Sequence, residues 1–393
     1  MKSNLADICE YAKSKVDVTI LNEETYISTE NMIPNKGGIT NASSLPTMTQ
    51  TQEFLAGDVL VSNIRPYFKK IWFAEFNGGC SNDVLVFRAK DGVNKRFLYY
   101  VLADDAFFDY SMATSKGTKM PRGDKEAIMK YEVPAFSYEE QGRIAGILEA
   151  LDRKIQLNTE INKNLEKQAL AIFYHHFMDF APYGDTAPSD WMEVSLDDVC
   201  IRITDGSHYS PADSPDSPYP MYSVKDMDTY GFNPLKCKHI SEDEFRKMQK
   251  SDCVPRLNDI LVAKDGSYLK EIFICSEEKE EAILSSIAIF RPNTSVIMPE
   301  ILLYFLKQPS VRKDVGDNYV SGSALPRIVL KDFKKYRFRL PTMNAQLKIG
   351  SALHAIRMQI KANIDEIQRL SSIRDTLLPR LVSGELDVSA LGL

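Results

Sequence analysis

Between Tyr138 and about Asp179, apolar residues return in steps of four and three at Ile144, Leu148, Leu151, Ile155, Leu165, Ala169 and Ile172, with Asn158 and Asn162 holding the seam positions between. This heptad spacing keeps one stripe of a helix turned toward a partner. Ser137 followed by Glu140 forms an S-x-x-E start signal, and Ala181-Pro182-Tyr183-Gly184 supplies a stop. Roughly 40 helical residues rising ~1.5 Å each predict a rod ~60 Å long. A second seam follows at Ile349, Leu353, Ile356, Ile360, Asn363, Ile367, Leu370, Arg374 and Leu377. Shifting by 205 residues superimposes its nine positions on the first, with Asn363 on Asn158. An isolated core helix shows such spacing for two or three turns; nine positions repeated in one register predict an internal duplication. A seam asparagine costs stability and fixes register, so Asn158 and Asn363 are expected within about a turn of each other.

The segments outside the rods carry a different pattern. Asp58–Ser62, Ile71–Phe76 and Asp83–Phe87 are short strand-like runs separated by turn residues, and Arg96–Tyr110 is apolar at helical spacing. A glycine-bearing basic loop, Thr114 to Gly123, leads back to the first rod. The plan then repeats: Leu196–Cys200 echoes Leu5–Cys9 at an offset of 191, Asn258–Val262 echoes Gly57–Val61 at 201, and Leu325-Pro326-Arg327 echoes Met120-Pro121-Arg122 at 205. The drift places 14 extra residues in the second copy. One addition falls in Asp205–Pro211 and the Pro/Ser-rich run to Pro220, which predicts an irregular surface loop. Pro379 is expected to bend the second rod near its end at Gly384. The predicted class is α+β: two similar mixed domains (1–136 and 182–341) separated by two long helices (137–181 and 342–393, the latter with a tail). Antiparallel rods spare the second domain a ~60 Å bridge, which predicts a coiled-coil dumbbell with a pseudo-twofold axis.

At 393 residues the chain exceeds a single core, and 44% hydrophobic with 26% charged residues is an ordinary globular composition. No apolar run approaches membrane-spanning length and the N-terminus lacks a signal-peptide core, so a cytoplasmic protein with no membrane partner is expected. Six scattered cysteines form no C-x-x-C pair; Cys237, His239 and Cys253 match no closed zinc spacing, so no metal site is expected. No phosphate-binding loop, dinucleotide fingerprint or H-E-x-x-H occurs, nor an N-P-P-Y or D-P-P-Y tetrapeptide. His175 and His176 point about 100° apart on a helix and cannot form a ligand pair. Glu277-Glu278-Lys279 lies in a charged turn without an accompanying acid cluster. No catalytic residue and no cofactor of the chain's own are predicted.

The net charge of −6 opposes nucleic-acid binding unless local patches outweigh it. Two such patches stand at duplicated places. The first combines Arg65, Tyr67, Lys69 and Lys70 with Lys116, Lys119 and Arg122. The second combines Lys264, Ser267, Ser321, Ser323 and Arg327, with Ser207, His208 and Tyr209 in the added loop. Arg and Lys pair with phosphates or guanine edges, Ser and Tyr position the phosphate strand, and glycines permit close backbone approach. A solvated loop explains any one of these residues equally well; recurrence at duplicated positions favours binding.

Taken with the rods, several motifs resemble the DNA-specificity subunit of type I restriction-modification systems over essentially the whole chain. Glu140-Gln141 through Leu151-Asp152-x-Lys154-Ile155-x-Leu157-Asn158 resembles the family's central helix, and Arg374-Asp375-x-Leu377-Leu378-Pro379-Arg380-Leu381-x-Ser383-Gly384-Glu385 its distal one. Tyr26–Asn31 and Asp205-Gly206-Ser207-His208 are similar to stretches of its target-recognition domains. The second rod departs by opening Asn344-Ala345-Gln346 where the first has Glu139-Glu140-Gln141. The resemblance implies a non-catalytic reader of double-stranded DNA, each domain contacting half of a bipartite target while the rods fix the spacer. It further implies two methyltransferase subunits and motor-nuclease subunits as partners, with S-adenosylmethionine, Mg²⁺ and ATP bound there. A coiled-coil scaffold without DNA readout and a self-sufficient nuclease or methylase are the competing readings.

Overall fold

A computed structural model describes residues 2–388. The chain forms two compact units, one of Met1–Thr159 with Ile364–Leu393 and the other of Glu160–Asn363. Two 40-residue helices, Tyr138–Phe177 and Met343–Val382, each contribute one half to each unit. The 205-residue shift carries Thr159 to Ile364, so the units divide at equivalent points of the two copies. The mixed helix-and-sheet class expected from the sequence is what each unit displays.

In the first unit an antiparallel sheet runs in the order Cys9–Tyr11, Val84–Ala89, Val59–Ser62, Ile71–Phe73. Its central strands read as continuous apolar runs because both faces are covered. Val59, Val61, Leu85 and Phe87 face the core made with the helices, while Leu60, Val84 and Val86 face a second cluster around Phe54 and Ile27. The predicted strand from Ile71 stops at Phe73, and the helical stretch Arg96–Tyr110 is two helices, Lys95–Ala103 and Asp105–Ala113. Asp104 breaks it by capping the second helix: its carboxylate accepts the Ala106 amide at 3.4 Å.

The second unit repeats the sheet with strands Cys200–Asp205, Ile287–Pro292, Ile260–Ala263 and Ile272–Ile274 in the same order. Even register is retained, since Val59 lies opposite Phe87 and Ile260 opposite Phe290. Helices Pro299–Leu306 and Pro309–Asn318 take the place of the split pair. The residues after Asp205 form the irregular loop that the prolines predict, with no strand before Tyr219.

The long helices are sewn to their domains by matching cores. Ile144, Leu148, Leu378 and Leu381 pack among Leu98, Val101 and Phe108; Ala169, Phe173, Ile349 and Leu353 pack among Leu302, Phe305 and Val315. Full burial of a leucine such as Leu148 or Leu353 stabilises by roughly 1.5–3 kcal/mol. A glutamine clip also recurs. Gln141 accepts the Asn94 amide at 2.9 Å and donates to the Phe136 carbonyl at 3.0 Å, as Gln346 does with Met298 at 2.9 Å and Pro341 at 3.0 Å. The capping box forms as expected, Ser137 N to Glu140 Oε2 at 2.7 Å and Glu140 N to Ser137 Oγ at 3.3 Å. Pro379 sits in the last turn of the second helix, which closes at Gly384 with φ +75°.

Within the first unit the helix halves run antiparallel, because Asp152 meets Arg374 while Asn158, further on, meets Glu366. Three enclosed members of the middle seam are polar. Asn158, Asn162 and Asn363 are 1%, 2% and 6% exposed, whereas Leu151, Ile155, Leu165, Ile367 and Leu370 are half-buried and Ile356 likewise. Each asparagine has a partner inside its own unit: Asn158 Nδ2 donates to Glu366 Oε2 at 2.7 Å, and Asn363 Nδ2 to Asn162 Oδ1 at 2.7 Å. The Asn158 bond is the main cause holding the Glu366 carboxyl below its usual range. Ile144 and Ile349 are buried nearer the domains, and Ile360, three residues before Asn363, is 4% exposed.

Candidate nucleic-acid interface

The two basic patches rest on one backbone motif used twice. In the first unit the Arg65 amide donates to the Pro121 carbonyl at 2.8 Å, Gly123 N to Asn63 O at 3.2 Å, and Lys116 exchanges both bonds with Arg122. In the second, Gly266 N donates to Pro326 O at 2.7 Å and Ile328 N to Lys264 O at 3.1 Å, while Ser321 pairs with Arg327. Gly117 and Gly322 occupy the same left-handed turn position, φ +92° and +89°, which is open to glycine at little cost. Asn63 and Lys264, Lys116 and Ser321, and Arg122 and Arg327 are therefore structural counterparts.

The side chains differ in their freedom. Lys119 makes no ion pair or hydrogen bond among the described residues and is exposed. Lys116 is paired with Asp124 at 2.6 Å and Arg122 with Asp83 at 3.2 Å, both on the surface. The Asp124 contact raises the Lys116 pKa and depresses that of Asp124. Such exposed pairs are worth little, so phosphate can exchange for carboxylate. Tyr67 is half exposed with its ring 4.7 Å from that of Phe68. Lys69 is held by Asp105 at 2.8 Å, and Lys70 donates to the Thr29 carbonyl at 2.5 Å, where burial lowers its pKa. These two are tied into the fold more than the sequence suggests.

In the second unit Arg327 is exposed and lies 3.5 Å from Asp265. His208 is 77% exposed and 3.3 Å from Asp205, Tyr209 is exposed, and Ser207 Oγ donates to the Tyr209 carbonyl at 2.7 Å. Ser267 accepts the Lys270 amide through its carbonyl at 3.0 Å, and Ser321 and Ser323 lie exposed on the hairpin. Lys264 stands apart from the other cations, since it is only 8% exposed and enclosed by carboxylates. Cys237 Sγ approaches His239 Nε2 at 3.7 Å, but Cys253 packs in a separate apolar cluster with Phe245 and Met248.

Four buried side-chain polar atoms have no hydrogen-bond partner among the described residues, and three lie on these counterpart segments: Asn63 Oδ1, Arg65 Nε and Asp265 Oδ1, the last facing the Lys264 ammonium at 3.5 Å as an ion pair without a hydrogen bond. Unmade buried bonds cost about 1–3 kcal/mol each and concentrate where a ligand or water completes them. Sequence reasoning missed Lys36, which joins Lys69 on Asp105 at 2.8 Å from a loop far upstream. It also missed Lys238, which ties the added loop through Ser210 at 2.9 Å. Neither has a sequence signal, because the tertiary fold alone brings them to the patch.

A family model for the type I restriction modification DNA specificity domain matches residues 1–167 and 188–370. The MjaIX specificity subunit of Methanocaldococcus jannaschii is 26% identical, the match covering 77% of this chain and 71% of that one. The HindI specificity subunit of Haemophilus influenzae is 23% identical over 98% of each. The fold is shared with a type I restriction-modification S subunit from M. genitalium, TM-score 0.59 at 16% identity over 97% of this chain and 96% of that one. No described helix is long and apolar enough to cross a membrane. The chain belongs to the type I restriction-modification DNA specificity family, and with relatives named as specificity subunits it is a non-catalytic member of such a system.

Proposed function

We propose that each globular domain, 1–136 and 182–341, reads one half of a bipartite, asymmetric site on double-stranded DNA. In this reading Lys116, Lys119 and Arg122 serve one half-site, and His208, Tyr209 and Arg327 the other, by phosphate and base-edge contacts. The observation that carries it is the twice-used hairpin, with exposed cations on it (Lys116, Lys119 and Arg122 in one copy, Arg327 in the other) and unmet polar atoms at its root. The long helices set the untouched spacer, near one duplex turn or a multiple. Two methyltransferase subunits dock on this chain and flip and methylate an adenine; motor-nuclease subunits add cleavage. S-adenosylmethionine, Mg²⁺ and ATP are bound by those partners in the cytoplasm.

Methylation mapping of the host genome tests this directly. A split motif with a fixed gap is expected, and it should disappear when this chain is deleted. Continuous motifs only, or a split motif indifferent to the deletion, would overturn the reading. Affinity for duplex DNA should fall steeply with salt, and charge reversal at Lys119 and Arg122 should reduce the log–log slope by ~1 for each phosphate that is no longer neutralised. Unchanged binding would favour a protein-only scaffold.

A further inference from the structure

Lys264 lies between two loops and is shielded from solvent. Its ammonium is 2.9 Å from Asp205 Oδ2 and 3.5 Å from Asp265 Oδ1. Asp205 also meets His208 at 3.3 Å, and Asp265 meets Arg327 at 3.5 Å. The charges thus alternate along a chain, His208, Asp205, Lys264, Asp265, Arg327, whose two ends are exposed and whose centre is enclosed. The segment after Asp205 cannot shift freely. A Cβ on Gly206 would stand 2.2 Å from the Ile283 carbonyl oxygen, and Ser207 bridges to Leu284. The counterpart of Lys264 in the first unit is Asn63, a neutral residue whose Oδ1 is unpartnered. Duplication of the hairpin therefore does not require a cation at this position.

We infer that Lys264 is a positioning residue for DNA reading by the second domain: it couples the Asp205–Tyr209 loop to the Arg327 hairpin and makes no phosphate contact itself. The inference rests on the half-site reading proposed above. The ammonium donates a hydrogen bond to Asp205 Oδ2 and sits within ion-pair range of Asp265, so turning it to a phosphate would leave two enclosed carboxylates unpaired, which is strongly unfavourable. Fixing Asp205 and Asp265 fixes where His208 and Arg327 can point, and base selectivity depends on such placement to within about half an ångström.

The test uses the full chain and selection from a randomised duplex pool, comparing the unaltered protein with Lys264→Met. Because that change strands two carboxylates, the neutral triple variant Lys264→Met/Asp205→Asn/Asp265→Asn is measured beside it and supplies the result if the single variant does not fold. About a tenfold loss of preference is expected in the half-site read by the second domain, with the other half-site and the salt slope unchanged. A slope smaller by ~1 with both preferences intact would make Lys264 a phosphate contact and overturn the inference. A lower melting temperature with both preferences intact would make it a brace only, and would overturn it as well. No sequence enrichment by the unaltered chain would instead sink the half-site reading, and this inference with it.

Discussion

Arg96 with Glu149 in one unit and Glu300 with His354 in the other occupy counterpart positions, with the carboxylate on the helix in the first and on the domain in the second. The first pair is partly exposed at 3.3 Å, with about a third of each side chain in solvent. In the second, Glu300 is 3% exposed, 2.7 Å from His354 and 3.1 Å from the Arg357 guanidinium. The contact between domain and helix is inherited by both copies; the sign of each charge is not. A buried charge constrains its partner far more than an exposed one, because removing one member leaves the other uncompensated.

The largest effect should come from giving the second unit the first unit's charge. Glu300→Arg would bury a cation against Arg357 and His354, and denaturant unfolding should show a loss of about 3–5 kcal/mol. Arg96→Glu should cost no more than ~1 kcal/mol. Equal losses would show that burial does not separate the two pairs, and recovery in Glu300→Arg/His354→Glu would show that the sign is coupled.

Next in size is the polar seam. Asn162→Leu removes the acceptor of buried Asn363 and should cost roughly 1–3 kcal/mol, while Asn162→Leu/Asn363→Leu should restore most of it, as two apolar groups replace two polar ones. Asn158→Leu should cost less, about 1 kcal/mol, because Glu366 is half-buried and can turn to water. A double variant no better than the single one would mean the seam cannot close around leucine.

Two tyrosines sharpen the comparison at a smaller scale. Tyr100 donates to Asp152 at 2.8 Å, and Asp152 is also held by Arg374 at 3.0 Å; Tyr304 meets Glu166 at 3.5 Å, beside the tight Lys307 ion pair at 2.5 Å. Burial, then the neighbouring carboxylate, pushes both hydroxyls well above the usual tyrosine range, so both remain donors. Tyr100→Phe should cost about 1 kcal/mol by thermal unfolding and Tyr304→Phe clearly less. The reverse ranking would mean the longer contact shortens in solution.

The smallest effect is electrostatic and confined to one unit. Burial works against ionisation of Asp105, but Lys36 and Lys69 outweigh it and hold its carboxyl below the usual range; Pro309 takes its place in the other copy. A depressed folded-state value stabilises above the unfolded value near ~3.9, and that contribution is lost as pH falls through the lower folded value. Asp105→Asn should therefore lower the melting temperature slightly at neutral pH and by progressively less below about pH 4. A pH-independent difference would mean the two lysines do not act through charge.

Much of the fold was legible because duplication leaves a mark that needs no partner. The nine-position seam, the Pro-Arg loop and the Asp58–Val61 and Asp259–Val262 runs recur in one chain, and recurrence converts weak local signals into a strong one. Less of the candidate site was legible. Lys69, Lys70 and Lys264 have the residue type expected of a phosphate contact, yet Asp105, the Thr29 carbonyl and Asp205 hold them.

The sequence by itself determined two copies of a sheet-bearing domain, two long helices in common register, and the absence of known catalytic motifs, since periodicity and spacing are properties of the chain alone. Only the tertiary structure decided which charges are free and which are enclosed, because burial and pairing depend on residues as distant as Lys264 and Asp205, or Glu300 and Arg357, that no spacing rule connects. It also decided that three asparagines are enclosed in the middle seam while Leu151, Leu165 and Leu370 stay half in water, since each asparagine finds a hydrogen-bond partner there.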